Sequence, residues 1–234
     1  MGKPTQERLV RKLDLERFLS EIKPNPSPEA RLEQYTISES VAADILYLAA
    51  YANGDIVGKT VLDLGCGTGR LGLGAAFLGA KSIVGVDVDK TAVAIACRSA
   101  KEARLKDCTN WVAGDLDAVA GKFDTVVQNP PFGVQKRGAD RRFLEKALEV
   151  GCSVYSLHNH PRTDENLIQR LKSSHGRLLQ VDASPFLVRL VEEHGGVVSA
   201  VYALSMTMPR MFEFHTKLHR DFVVDLYVAN KKCV

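Results

Sequence analysis

The chain lacks most of the features that would place it in a specialised class. Its five cysteines, Cys66, Cys97, Cys108, Cys152 and Cys233, include no C-x-x-C pair. An odd count without ligand spacing argues against a disulfide framework or a zinc module, and reads as reduced thiols in an intracellular protein. No apolar run approaches a membrane span, and the N-terminal MGKPTQERLVRKLDLERF is charged where a secretory signal would be apolar. A cytoplasmic address and no membrane partner are therefore the expectation. Neither sign of charge dominates: Lys and Arg number 31 against 28 Asp and Glu, a net of +3. So small a surplus permits a polyanionic partner without requiring one, and a case for nucleic acid must rest on where the cations sit. There is no internal repeat and no low-complexity segment. His158 and His160 have no Cys or carboxylate at ligand spacing, so a structural or nucleic-acid role is expected of them, and no metal.

What is present is an ordinary globular composition, 45% hydrophobic over 234 residues. That is enough chain for one domain with its own core. The reading is a single domain over residues 1–234, with 1–31 a helical extension and 32–234 the core. Leu9, Leu13 and Phe18 at helical spacing predict an amphipathic helix from Gln6 to about Ile22. KPNPSPEA then breaks the helix as a linker or wrap-around loop. VAADILYLAAYANG reads as a helix starting near Ser38 or Ser40 and stopped by Asn53-Gly54.

From there apolar runs alternate with helical segments. Val61–Leu64, Ile83–Val86, Asn110–Ala113, Phe123–Val127, Ser153–Leu157, Val197–Leu204 and Phe222–Val228 read as strands. Leu71–Leu78, Thr91–Ala103, Arg141–Val150, Thr163–Ser173 and Pro185–His194 read as helices, and 208–221 as a long loop. Alternation of this kind implies right-handed crossovers and a doubly wound α/β fold, with a mainly parallel seven-stranded sheet and helices on both faces.

In such sheets ligands bind beyond the carboxyl ends of the strands. Three carboxylates fall there in order: Asp63 at a D-x-G-x-G-x-G turn with Gly65, Gly67 and Gly69, Asp87 after the second strand, and Asp115 after the third. A carboxylate at the second strand end can accept both hydroxyls of a ribose. A dinucleotide would want its pyrophosphate at the helix N-terminus, where Asp63 is a poor neighbour. A cationic group suits Asp63 better. S-adenosylmethionine meets all three demands, with its amine and sulfonium near the turn, its ribose at Asp87 and its adenine between Val88 and Asp115.

After the fourth strand comes Asn129-Pro130-Pro131-Phe132. Two prolines make this turn stiff, able to hold an amide and an aromatic ring at fixed positions beside a strand end. The glycine turn, the following Asp and this tetrapeptide together resemble a class I, Rossmann-like, S-adenosylmethionine-dependent methyltransferase of the amino-methylating branch. An aromatic amine is a poor nucleophile because its lone pair is delocalised. Hydrogen bonds from its NH2 to the Asn129 side-chain oxygen and the Pro130 carbonyl would draw the nitrogen toward tetrahedral geometry. Phe132 would stack on the base.

Basic residues cluster in two places. Lys136, Arg137, Arg141 and Arg142 follow the turn, and Arg210, His215, Lys217, His219 and Arg220 lie late in the chain with Met211, Phe212 and Phe214 interleaved. Bordering a pocket that handles a base, both groups read as phosphate contacts to RNA, Lys136, Arg137, Arg141, Arg142, Arg210, Lys217 and Arg220 above all.

A closer resemblance runs from Leu32 to Val228. LEQYTISES, DLGCGTGRLGLG, NPPFG, FLEKALE and VYSLHN are similar to the methyltransferase-like-five family of eukaryotes and archaea, whose members methylate one adenine N6 of small-subunit ribosomal RNA. By position, the resemblance implies that Gln34 and Ile37 close over the methionine part. Gly65, Thr68 and Arg70 would line the turn, Asp87 would take the ribose, and Asp115 with Leu116 the adenine. Two departures stand out: Thr36-Ile37 replaces the usual Pro-Thr, and Arg70 stands where the human relative has Val. Arg70 is expected to point to solvent. The resemblance also implies a small zinc-containing activator protein that adds its strand beside Asn110–Ala113, with Trp111 in the core. Alternative acceptors are guanine N2 or a protein glutamine amide, though the latter usually goes with Tyr at the position of Phe132. A cofactor-binding module without catalysis is the reading outside the enzymes, and an intact Asn129 speaks against it.

Overall fold

The computed structural model describes residues 9–34, 37–133, 138–161, 165–173, 178–209 and 219–231. Its strands are β1 (Thr60–Leu64), β2 (Ser82–Asp87), β3 (Thr109–Ala113), β4 (Phe123–Gln128), β5 (Gly151–Asn159), β6 (Leu179–Gln180), β7 (Gly196–Pro209) and β8 (His219–Lys231). They form one eight-stranded sheet in the order β3-β2-β1-β4-β5-β8-β7-β6. β1 to β5 run parallel, while β8 is antiparallel to both β5 and β7. The strand order reverses between β1 and β4, and that is where a doubly wound sheet opens a crevice.

The central strands read as unbroken apolar runs because both their faces are covered. Val61, Val127 and Tyr155 pack on one side against α1 (Lys12–Ser20), α2 (Glu39–Tyr47) and α3 (Arg70–Phe77). Leu62, Leu64, Val126 and Val154 face the other side, against α5 (Ala139–Val150) and α7 (Pro185–Glu193). The alternation of partners follows from the period of two along a strand. α4 (Lys90–Glu102) lies beside β2 and β3, and α6 (Glu165–Ser173) beside β7. Ser38 caps α2 by accepting from the Val41 N–H at 3.4 Å.

Several boundaries depart from the sequence reading. α1 begins at Lys12 and turns Leu15 and Leu19 inward, fully buried, while Leu9 and Leu13 stay exposed. Phe18 stacks on Phe77 of α3 with centroids 4.4 Å apart. The apolar face of α1 is thus the i, i+4 pair Leu15/Leu19. The expected loop over 208–221 is shorter: β7 runs to Pro209 and pairs with His219 of β8. The eighth strand, β6, has only two residues and carries no periodicity to read. Cys66, Cys97 and Cys108 are free thiols, whereas Cys152 is disulfide-bonded, against the expectation of reduced thiols. No helix among the described residues is long and apolar enough to cross a membrane.

Candidate active site

The turn after β1 is where the backbone does what only glycine does easily. Gly65, Gly67 and Gly69 all have positive φ, and a Cβ on Gly69 would lie 2.7 Å from the Trp111 ring. The N–H groups of Gly65 and Cys66 donate to the Val86 carbonyl, so the turn is sewn to the end of β2. β1 and β4 pair in the register Asp63 with Val127. The chain therefore leaves these two strands side by side, one into the glycine turn and the other into Asn129-Pro130-Pro131-Phe132.

Between these turns lies a cleft of about 270 Å³ lined by Gln34, Ile37, Asp63, Gly65, Gly67, Thr68, Arg70, Asp87, Val88, Asp115, Leu116, Asn129 and Pro131, residues named from sequence. Arg142 also reaches it. Asn25, Arg31, Leu32, Glu33, Cys66, Ala92, Ala139 and Phe143 complete much of the wall and were not foreseen. Pro130 and Phe132 are not among the lining residues: Pro130 is buried, and the half-buried Phe132 meets the Phe222 ring edge-on at 6.0 Å.

Asp63 is fully buried and its Oδ2 accepts from the Gly72 N–H at 2.7 Å. A pyrophosphate at the start of α3 would need that donor, so the first turn of the helix is already committed. Burial pushes the Asp63 carboxyl up to about 7; the Gly72 hydrogen bond opposes this and the nearby Asp87 adds to it. Asp87 accepts from Gly67 N at 2.7 Å through Oδ2 and from Asp89 N at 2.9 Å through Oδ1. A carboxylate has about four acceptor sites, so Asp87 keeps capacity for a further donor. Burial raises the Asp87 carboxyl too, partly offset by those N–H groups. Asp115 caps the short turn at Leu116–Ala118 and is exposed.

Two expectations change. Gln34 lines the cleft, but its amide is committed: Nε2 donates to Asp89 Oδ2 at 2.8 Å, and Oε1 accepts from Glu29 N at 2.7 Å and Asn25 Nδ2 at 3.3 Å. Arg70 does not point to solvent. Its side chain is 11% exposed, donates to the carbonyls of Ile37 and Ile22, and lies 3.7 Å from Glu39. Burial lowers the guanidinium from its ordinary value, with Glu39 opposing. The segment from Ile22 to Ile37 is thereby held across the cleft at two points, Arg70 and Asp89. The prolines of KPNPSPEA read as punctuation, yet Asn25 between them donates to Asp89 at 2.8 Å. A lone Asn between prolines was the only available signal.

Among the basic residues, Arg141 and Arg142 are exposed at the start of α5. The Arg141 guanidinium stacks 4.5 Å from the Phe186 ring, and Arg142 pairs with Asp117 at 2.8 Å. Lys136, Arg137, Arg210, His215 and Lys217 lie outside the described residues, as does Thr36, and Arg220 is described only through its place in β8. His158 is buried rather than available to RNA, and His160 pairs with Asp225 at 2.8 Å.

The chain is similar to known proteins over most of its length. Residues 43–175 match the family model of the methyltransferase small domain. The rRNA N(6)-adenosine-methyltransferase METTL5 of Danio rerio is 33% identical, covering 91% of this chain and 95% of the relative. The chain belongs to the methyltransferase-like-five family. An uncharacterised protein of Methanocaldococcus jannaschii is 36% identical over 95% of both chains. A solved Pyrococcus horikoshii structure, 35% identical, superposes with a TM-score of 0.79 over 97% of this chain and 100% of that one.

Proposed function

We propose that the protein transfers the methyl group of S-adenosylmethionine to the N6 amine of an adenine in small-subunit ribosomal RNA. The observation that carries this reading is that Asn129 and Pro131 share one cleft with Asp63, Asp87 and Asp115. The lining fits the methyl donor residue by residue: a buried carboxylate for a cation at Asp63, spare acceptor capacity for ribose hydroxyls at Asp87, and Val88 with Leu116 flanking an adenine ring. S-adenosylmethionine supplies the electrophilic methyl group when bound. Asn129 and the Pro130 carbonyl accept hydrogen bonds from the target NH2 and so aim its lone pair. Phe132, braced edge-on by Phe222, offers the base a fixed stacking face. Arg141, whose charge no carboxylate among the described residues offsets, neutralises a phosphate. No covalent enzyme intermediate is needed. The related rRNA N(6)-adenosine-methyltransferases support adenine over guanine as the acceptor, and a ribosomal substrate fits a cytoplasmic address, or a nuclear one as well in a eukaryote.

The same reading assigns a partner. β3 is an edge strand, and Val112 on it is 47% exposed. We place there the strand of a small zinc-containing activator, by edge addition. A purified monomer with full activity alone would exclude that partner. The function itself is tested by incubating the protein with labelled cofactor and unmethylated small-subunit RNA, then digesting to nucleosides. N6-methyladenosine is the expected product, and Asn129→Ala should lose about 100-fold or more in turnover with cofactor affinity retained. Methyl groups on guanine N2, or Asn129→Ala with wild-type turnover, would refute it.

A further inference from the structure

Behind the Asn129 turn runs a line of buried polar groups that packing alone does not call for. Gln128, the last residue of β4, sits directly opposite Ser156 of β5, and its Nε2 donates to Ser156 Oγ at 2.8 Å. Two residues on, and therefore on the same face, His158 places Nε2 2.8 Å from that Oγ. Its Nδ1 lies 3.6 Å from Asp140 Oδ2 in the first turn of α5. Gln128, Ser156 and His158 are at most 2% exposed. Ser156 Oγ accepts from the Gln128 amide and is hydrogen-bonded to His158 Nε2, while the buried Nδ1 has no hydrogen bond among the described residues and faces Asp140 as a close polar contact only. Burial alone would raise the Asp140 carboxyl; His158 and the N–H groups at the helix start hold it below its ordinary value. The imidazole is fixed from its flank by the Tyr227 ring, edge-on at 5.4 Å, whose hydroxyl accepts from Ser184 N at 2.8 Å. Gln128 Oε1 has no hydrogen-bond partner among the described residues, so the Ser156 contact orients that amide.

The two ends of this line are what matter. Gln128 immediately precedes Asn129, and Asp140 opens the helix that resumes after the turn. An apolar trio would fill the same space without desolvating a carboxylate and an imidazole. We infer that His158 is a positioning residue for methyl transfer, bracketing the Asn129–Phe132 turn by tying the strand before it to the helix after it. The effect on turnover rests on the adenine-N6 reading; the bracket itself does not.

The test separates the two contacts. In His158→Gln the amide can replace Nε2 toward Ser156, and in His158→Asn it can replace Nδ1 toward Asp140, but neither variant does both. Both should lose about 10- to 100-fold in kcat while the KM for S-adenosylmethionine stays within about twofold. Hydrogen exchange at the Phe132 and Gly133 amides should quicken. Asp140→Asn, which keeps an acceptor oxygen, should retain more turnover than Asp140→Ala. If the His158 variants fail to fold, Ser156→Ala removes one link without touching the ring. Turnover within about twofold of wild type in a folded variant, or unchanged exchange at the two amides, overturns the inference. If wild-type protein leaves adenine unmethylated, the proposed function falls, and the exchange measurement alone decides the bracket.

Discussion

The Asp63 carboxylate and the Gly72 N–H are 2.7 Å apart, joined across the first turn of α3 beneath the glycine turn. The carboxyl, pushed by burial from 3.8 to about 7, holds its proton more tightly folded than unfolded. Stability of the free protein should therefore fall as pH rises from about 4 to about 7 and level off above, because the folded state binds more protons in that window. Asp87, raised in the same direction, adds to the slope, and Asp63→Asn should flatten it. A bound cation beside Asp63 favours the ionised form, so cofactor affinity should rise with pH up to about 7 and binding near pH 6 should release a proton. Calorimetric titration in two buffers of different ionisation enthalpy reads this directly. Identical apparent enthalpies would remove Asp63 from the cation's surroundings.

Asp63, Asp87 and Asp115 were legible because a doubly wound sheet puts strand ends on one side, and the carboxylates fall at or just past the ends of successive strands. Arg70 was not legible, since its charge is satisfied by the carbonyls of Ile22 and Ile37. Backbone acceptors have no sequence signature. Leu13 misled for a different reason: Leu9, Leu13 and Leu15 lie too close together for spacing to say which of them turns inward. The tertiary contact decides, with Leu19 Cδ2 3.0 Å from where a Gly74 Cβ would lie. β6 is too short to show alternation, and the ends of β7 and β8 owe their structure to each other rather than to local pattern.

The Arg70 guanidinium holds two points of the segment that covers the cleft. Removing it in Arg70→Leu relieves a buried charge but forfeits hydrogen bonds from a charged donor, for a net loss of about 2 kcal/mol. The cofactor should bind about 10-fold more weakly by the same step, since the cover must be ordered on binding. Arg70→Lys should not rescue either effect, because one ammonium cannot fork to both carbonyls. Thermal unfolding, calorimetry and protease cleavage within residues 23–34 check the three parts. Unaltered cleavage would leave Arg70 with no part in closing the cleft.

Trp111 occupies a slot that Gly69, Gly72 and Gly85 leave open: a Cβ on Gly85 would fall 2.3 Å from two of its ring carbons. A rigid indole wedged between strand and helix cannot yield as a leucine methyl can. Gly85→Ala should therefore cost about 3 kcal/mol. Gly74→Ala, whose Cβ would meet the Leu46 Cδ1 at 2.4 Å, should cost about 1 kcal/mol or less, helped by the helix propensity of alanine. Denaturant midpoints distinguish the pair, and equal losses would mean that Trp111 moves as freely as Leu46. Because Trp111 is on the edge strand, Gly85→Ala should also weaken a partner docked there.

Arg141 and Arg142 are neighbours in sequence with different electrostatic roles. Arg142 donates to Asp117 at 2.8 Å and lies 3.9 Å from Asp115, so its charge is largely compensated on the protein. Arg141 rests on the Phe186 ring, which orients the guanidinium without neutralising it. A phosphate gains from the second kind of cation and little from the first. Arg141→Ala should weaken RNA binding and lower the slope of log affinity against log salt by about 1. Arg142→Ala should change that slope by clearly less, and Arg141→Ala should leave affinity for the methyl donor unaltered, because Arg141 does not line the cleft whereas Arg142 does. Binding isotherms over a salt series decide it: equal slopes for Arg141→Ala and wild type would move the phosphate track off the start of α5.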